Sequence, residues 1–156
     1  MASNANERFR TRAAAHGLQI VMSEFPAGTR TAADAADAIG CDVAQIVKSL
    51  VFVADRVPVL CLTSGANRVD EGKLAMALGT SRVAKADADQ VRAATGYAIG
   101  GTPPFGHDTP ITTVCDRDLT GFEEVWAAAG TPNTVFPLSP SVLLAITTAL
   151  VADISA

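Results

Sequence analysis

The chain has 156 residues, of which 49% are hydrophobic and 18% charged; that is enough apolar material for one core and too little charge for a disordered chain, so a single domain over residues 1–156 is expected. Every apolar run is broken before the roughly 18 residues of a membrane span, and the opening MASNANERFRTRAAAHG has no apolar signal core, so a cytoplasmic protein without a membrane partner is expected. All 12 Lys and Arg residues lie within 1–117, while 118–156 holds four acids and no base; with a pI near 5.0, any nucleic acid must be gripped locally rather than by broad phosphate neutralisation.

Residues 4–16 place Phe9 and Ala13 with Leu18 on one side of an amphipathic helix closed by Gly17. LQIVMSEF reads as a strand. Thr31 opens TAADAADAIG as an N-cap with Asp34 three residues on, the helix stops at Gly40, and Asp42 caps one further turn. From Ile46 the period becomes two: IVKSLVFVAD and VPVLCLTS form a hairpin at the centre of the sheet. Asp70 to Gly79 and Asp87 to Gly96 bracket two more capped helices. A Gly/Pro loop, YAIGGTPPFGHDTP, precedes a strand in PITTVCDRDL; VWAAA and TVFPLS read as short strands, SPSVLLAITTAL as a final helix and VADIS as a last strand. The pattern is α plus β, built on hairpins rather than regular βαβ units.

Two features carry chemistry. Lys48 shares a strand face with Ile46, Leu50 and Phe52 while the opposite face is also apolar; such an ammonium either reaches a cleft or an anion, or lies at the strand end and snorkels to water. Gly100, Gly101, Thr102, Pro103, Pro104, Phe105 and Gly106 form a stiff loop whose bare amides suit an oxyanion or phosphate, unless it is a plain turn. His107, beside it, is a general acid or base or a solvated loop histidine. Asp116, on the strand after the loop, is expected to hydrogen-bond loop amides. Ser64 lies outside any nucleophile-elbow motif, and a relay of Cys115, His107 and Asp116 is disfavoured because neighbours along one strand rarely meet in attack geometry. Cys41, Cys61 and Cys115 are too scattered for a disulfide framework, and with only His16 and His107 beside them no metal or cofactor is expected.

Taken together, TAADAADAIG, QIVKSLVF, GANRVDEGKLAMALG, ATGYAIGGTPPFG and VCDRDL resemble, in order and spacing from about Thr31 to Ile154, the YbaK/prolyl-tRNA synthetase-associated domain family. The resemblance implies an α/β (α+β) domain with a mixed, strongly curved sheet or partial barrel flanked by helices, and deacylation of mischarged transfer RNA in trans. It also implies that Lys48 is required and lies near the terminal adenosine and phosphate, and that the GxxxP loop borders the aminoacyl pocket. Lys48 and Gly101 are then the catalytic candidates, with Gly100, Thr102, Pro103, Pro104, Phe105, Gly106 and His107 binding substrate. Arg30, Thr31, Ser64, Asn67 and Asp116 are weaker candidates.

An aminoacyl ester is already activated, so loop amides that orient its carbonyl, with water as nucleophile, make a protein nucleophile unnecessary. A pocket wall would then exclude the larger amino acids; Met22, Phe25, Ile46, Leu50 and Phe105 are candidates for it. Arg8, Arg12, Arg30, Lys48, Arg68 and Lys73 are available for weak, salt-sensitive contact with the acceptor end. The expected function is hydrolysis of transfer RNA for proline carrying a small wrong amino acid, with a synthetase or elongation factor as a further partner. The alternatives are a non-catalytic module that binds an acceptor end or a synthetase, and a hydrolase of small esters.

Overall fold

Local caps and apolar runs set the element order, which the computed structural model describes for residues 4–25 and 31–156. Along the chain these are helix α1 (Asn4–Ala15), strand β1 (Ser23–Glu24), α2 (Ala32–Ile39), β2 (Ile46–Ala54), β3 (Val57–Ser64), α3 (Glu71–Leu78), β4 (Val83–Lys85), α4 (Ala88–Thr95), β5 (Thr112–Asp116), β6 (Val125–Ala128), β7 (Thr134–Leu138), α5 (Pro140–Thr147) and β8 (Leu150–Ala152). Thr31, Asp70 and Asp87 each accept a hydrogen bond from the amide three residues on, and Gly40, Gly79 and Gly96 end those helices in the left-handed conformation.

The eight strands form one mixed sheet in the order β1-β7-β6-β2-β3-β5-β8, with β4 on β2 as a branch. The β2–β3 hairpin is central; its turn residues Asp55 and Arg56 have φ of 46° and 73°, the mirror-image two-residue turn that matches strand twist. Hairpins do not account for the whole sheet: β2–β6, β3–β5 and β5–β8 are parallel pairs. β4 was not expected. The Asp55 carboxylate accepts from the amides of Ser81 and Arg82 at 3.0 and 2.9 Å, so the hairpin turn itself seats β4 along β2. The strand expected over LQIVMSEF shortens to two residues, because β7 offers partners only to Ser23 and Glu24.

Both faces of the hairpin are covered. On one, Val47, Val51, Leu60 and Leu62 pack with Phe9 of α1, Val91 of α4 and Leu143 of α5. On the other, α3 covers Phe52, Val59 and Cys61 through Leu74, and α2 covers Ile46 through Ala35 and Ala36. Lys48 and Leu50 lie between those last two patches. Phe9, fully buried, stacks on Phe105 and Phe136 with ring centroids 5.1 and 5.0 Å away. Phe9→Ala is expected to cost about 3–5 kcal/mol by loss of packing and cavity formation, measurable by denaturant unfolding.

Candidate active site

β2 has two different neighbours along one edge. β6 pairs with its start, at Ile46 and Val47, and β4 pairs with its end, from Phe52 to Ala54. Between them the edge is open, and a cavity of about 560 Å³ fills the gap. Lys48, Leu50 and Ile46 reach it from β2, Thr31 and Ala35 from the start of α2, Lys85 from β4, Gly100 and Thr102 from the glycine–proline loop, and Trp126 and Val135 from β6 and β7.

The Lys48 ammonium donates to the Asn67 carbonyl at 2.6 Å. Asn67 is itself fixed, its side-chain amide donating to the carboxylates of Asp116 at 2.9 Å and Asp118 at 2.7 Å. Asp116, 1% exposed, also accepts from the amides of Ser64 at 3.1 Å and Asp118 at 3.0 Å, so it supports Asn67 rather than the expected amides of the glycine–proline loop. The chain from buried carboxylate to amide to ammonium therefore sets where Lys48 points. Burial, followed by the like charges of Lys85 and Arg68, lowers the Lys48 pKa from its ordinary value of 10.5. An ammonium destabilised in this way gains by meeting an anion. Ser64 has a connecting role: its hydroxyl donates to the Ala44 carbonyl at 2.7 Å.

The loop turns sharply at Gly100, with φ of 85°, a conformation that disfavours any side chain. Gly101 is there for space: a Cβ would lie 2.7 Å from Thr131 Cα and 2.9 Å from the Gly130 carbonyl oxygen. The Gly101 N–H, expected to face substrate, instead donates to Ala98 O at 3.1 Å, and its carbonyl accepts from Gly130. The amides of Gly100 and Thr102 have no hydrogen-bond partner among the described residues.

The sequence candidates thus divide between two places. Lys48, Gly100, Thr102 and Thr31 share the cavity, as do the wall candidates Ile46 and Leu50. Asn67, Asp116 and Ser64 stand behind Lys48 as its support. Pro104, Phe105, Gly106 and His107 line a separate cleft of about 530 Å³; the chain bends at Pro104 and Phe105, and the Phe105 ring is locked between Phe9 and Phe136. Pro103 is buried, its carbonyl bonded to His107 Nε2 at 2.8 Å. Burial first lowers the His107 pKa, with that hydrogen bond opposing. Met22 packs against the main core and lines neither space, and Phe25 is likewise absent from both. Arg30 lies outside the described residues.

Three of the basic side chains available for acceptor-end contact are engaged within the chain. Arg8 lies over the Tyr97 ring at 4.5 Å and donates to the Gly96 carbonyl; Arg12 donates to Gly106 O and pairs with Asp108, each at 2.8 Å. Lys73 is paired with Asp153 at 3.1 Å. The cavity lining that sequence reasoning missed includes Ser49, Lys85, Ile99, Trp126, Pro132 and Val135; Lys85 and the lone Trp126 were the readable signals, a cation and a large ring on short strands. Burial pushes the Cys61 and Cys115 thiols up to about 12, which makes thiolate chemistry at either unfavourable. Among the described residues no group of three or more His, Cys, Asp or Glu is placed to hold a metal ion, and no helix is long and apolar enough to cross a membrane.

Comparison with known proteins defines the class. The aminoacyl-tRNA editing domain family matches residues 26–146, and the chain belongs to that family, as the motif resemblance implied. It is similar over its whole length to a crystal structure described as a candidate trans-editing enzyme for prolyl tRNA synthetase, with a TM-score of 0.95, 45% identity and coverage of 100% of this chain and 99% of that one. EbsC of Enterococcus faecalis, described as a candidate Cys-tRNA(Pro)/Cys-tRNA(Cys) deacylase, is 28% identical over 126 residues, 80% of this chain and 77% of EbsC. Proline--tRNA ligase of Citrifermentans bemidjiense is 33% identical over 107 residues, which cover 69% of this chain but 19% of the ligase.

Proposed function

We propose that the chain is a trans-acting aminoacyl-tRNA deacylase that removes a small wrong amino acid, such as alanine, cysteine, serine or threonine, from transfer RNA for proline. The observation that carries this reading is the meeting of Lys48 with Gly100 and Thr102 around one cavity. Water adds to the ester carbonyl, and the tetrahedral intermediate collapses to free amino acid and ribose hydroxyl. The amides of Gly100 and Thr102 supply donors for the developing oxyanion, and the substrate's neighbouring ribose hydroxyl orients the water. Lys48, held by Asn67, acts as a point charge toward the terminal phosphate or adenosine rather than as a base. The similarity to EbsC, described as a candidate Cys-tRNA(Pro)/Cys-tRNA(Cys) deacylase, and to the candidate trans-editing enzyme for prolyl tRNA synthetase supports the substrate class.

The test is incubation with transfer RNA for proline charged with each of those amino acids. Hydrolysis of at least one, with correctly charged prolyl species spared, supports the proposal; inertness toward all of them overturns it. Binding without turnover would favour a non-catalytic acceptor-end module, and equal activity on free aminoacyl adenosine a small-ester hydrolase.

A pH dependence follows from the same lysine. Its lowered pKa means that the positive charge is lost, as pH rises, before an ordinary lysine would lose it. The alkaline limb of kcat/KM is therefore expected below 10.5, measured against the spontaneous ester hydrolysis at each pH.

A further inference from the structure

The open stretch of β2 carries unused hydrogen-bonding groups. Backbone groups of successive strand residues point to opposite edges, and the direction here is fixed by neighbours: Ile46 O accepts from Gly65 on the β3 side, whereas Val51 O accepts from Ala86 and Asp55 N donates to Arg82 on the β4 side. Odd-numbered residues of β2 therefore face the edge shared by β6 and β4. Pairing with β6 stops at Val47 and pairing with β4 begins at Phe52. The N–H and C=O of Ser49 and the N–H of Val51 are left facing the gap, without a partner among the described residues. The Ser49 hydroxyl is also buried with no hydrogen-bond partner among them, and Ser49 lines the cavity. Strand groups unpaired within a sheet, beside a buried hydroxyl that also has no partner, are open to a ligand in the cavity.

One residue's N–H and C=O, pointing to the same side, match the C=O and N–H of one extended amino-acid unit, as in a hydrogen-bonded antiparallel pair. An aminoacyl ester has that unit: an α-nitrogen that donates and a carbonyl that accepts. We propose that the vacant position opposite Ser49 receives the aminoacyl group as a one-residue antiparallel strand, its α-nitrogen donating to the Ser49 carbonyl and its ester carbonyl accepting from the Ser49 N–H. The identity of this ligand rests on the deacylase reading. The carbonyl's second lone pair remains for a loop donor. Directly opposed residues share a sheet face, so the side chain of an L-amino acid lies beside the Ser49 hydroxyl, on the face of Val47 and Val51, where Ala86 and Val91 also border the cavity. A D-amino acid turns its side chain to the Lys48 face instead. Ser49 is thus a binding and positioning residue through its backbone.

The experiment uses the non-hydrolysable probe 3′-(L-alanylamino)-3′-deoxyadenosine, its D-alanyl isomer and its propionyl counterpart, which lacks the α-nitrogen. The expected result is a shift and slowed hydrogen exchange of the Ser49 amide by NMR with the L-alanyl compound, and binding about tenfold or more weaker for the propionyl compound. The D-isomer is expected to bind more weakly than the L-isomer. Saturation that leaves the Ser49 amide unmoved, or equal affinity for the alanyl and propionyl compounds, overturns the proposal. Hydrolysis of transfer RNA for proline charged with alanine, cysteine, serine or threonine, followed in parallel, separates the two readings, turnover meaning hydrolysis of at least one of them. Turnover with an unmoved Ser49 amide removes this proposal alone; a shifted Ser49 amide without turnover keeps it and removes the deacylase reading.

Discussion

Lys48→Met is expected to lower deacylation of a mischarged transfer RNA by about 10²–10³-fold, the scale of losing one aimed electrostatic contact, with the fold intact. The two effects separate because the side chain works against stability where it stands. Its pKa is lowered in the folded protein, chiefly by burial and then by Lys85 and Arg68, so the unfolded chain binds its proton more tightly. The resulting cost to stability is present at neutral pH and is relieved as pH rises through the folded pKa toward 10.5. Removing the charge while keeping the bulk should leave the melting temperature unchanged or raise it. A variant that loses activity and melts lower by several degrees would mean that Lys48 is structural. Lys48→Arg is not a rescue, since the planar, forked guanidinium does not replace a compact ammonium held by one carbonyl.

Gly101→Ala is the second large effect, with the opposite signature. The added methyl group meets backbone, Thr131 Cα at 2.7 Å and Gly130 O at 2.9 Å, and backbone cannot rotate away as a side-chain tip can. The loop and the 130–131 turn must part, which also strains the bond from Gly130 N to Gly101 O. A cost of about 1–3 kcal/mol is expected from overpacking, read by denaturant unfolding, together with a fall in kcat/KM as Gly100 and Thr102 move. Unchanged stability and activity would show that the loop tolerates the displacement and that its placement does not matter.

What could be read from the sequence was what is encoded locally. The capped helices at Thr31, Asp70 and Asp87 and the hairpin from Ile46 to Ser64 each depend on residues a few positions apart, and the isolated cation in an apolar strand is visible without a fold. The cavity is different in kind. It exists because β6 and β4, distant from each other in sequence, dock on the same edge of β2 and leave four residues between them, so Trp126, Val135 and Lys85 meet Lys48 only through long-range register. Adjacency misleads in the loop for the converse reason: Gly100 and Phe105 are five residues apart, yet they line two different cavities. Arg8 and Arg12, exposed by helical pattern, are occupied because Tyr97, Gly106 and Asp108 come to them.

Helix α1 lies before the segment shared with the editing family, which begins at residue 26. It nevertheless clamps the far side of the glycine–proline loop through Arg8, Phe9 and Arg12. The stiffness of that loop can therefore be retuned by substitutions in a helix that does not line the Lys48 cavity, a handle on loop placement remote from the site itself.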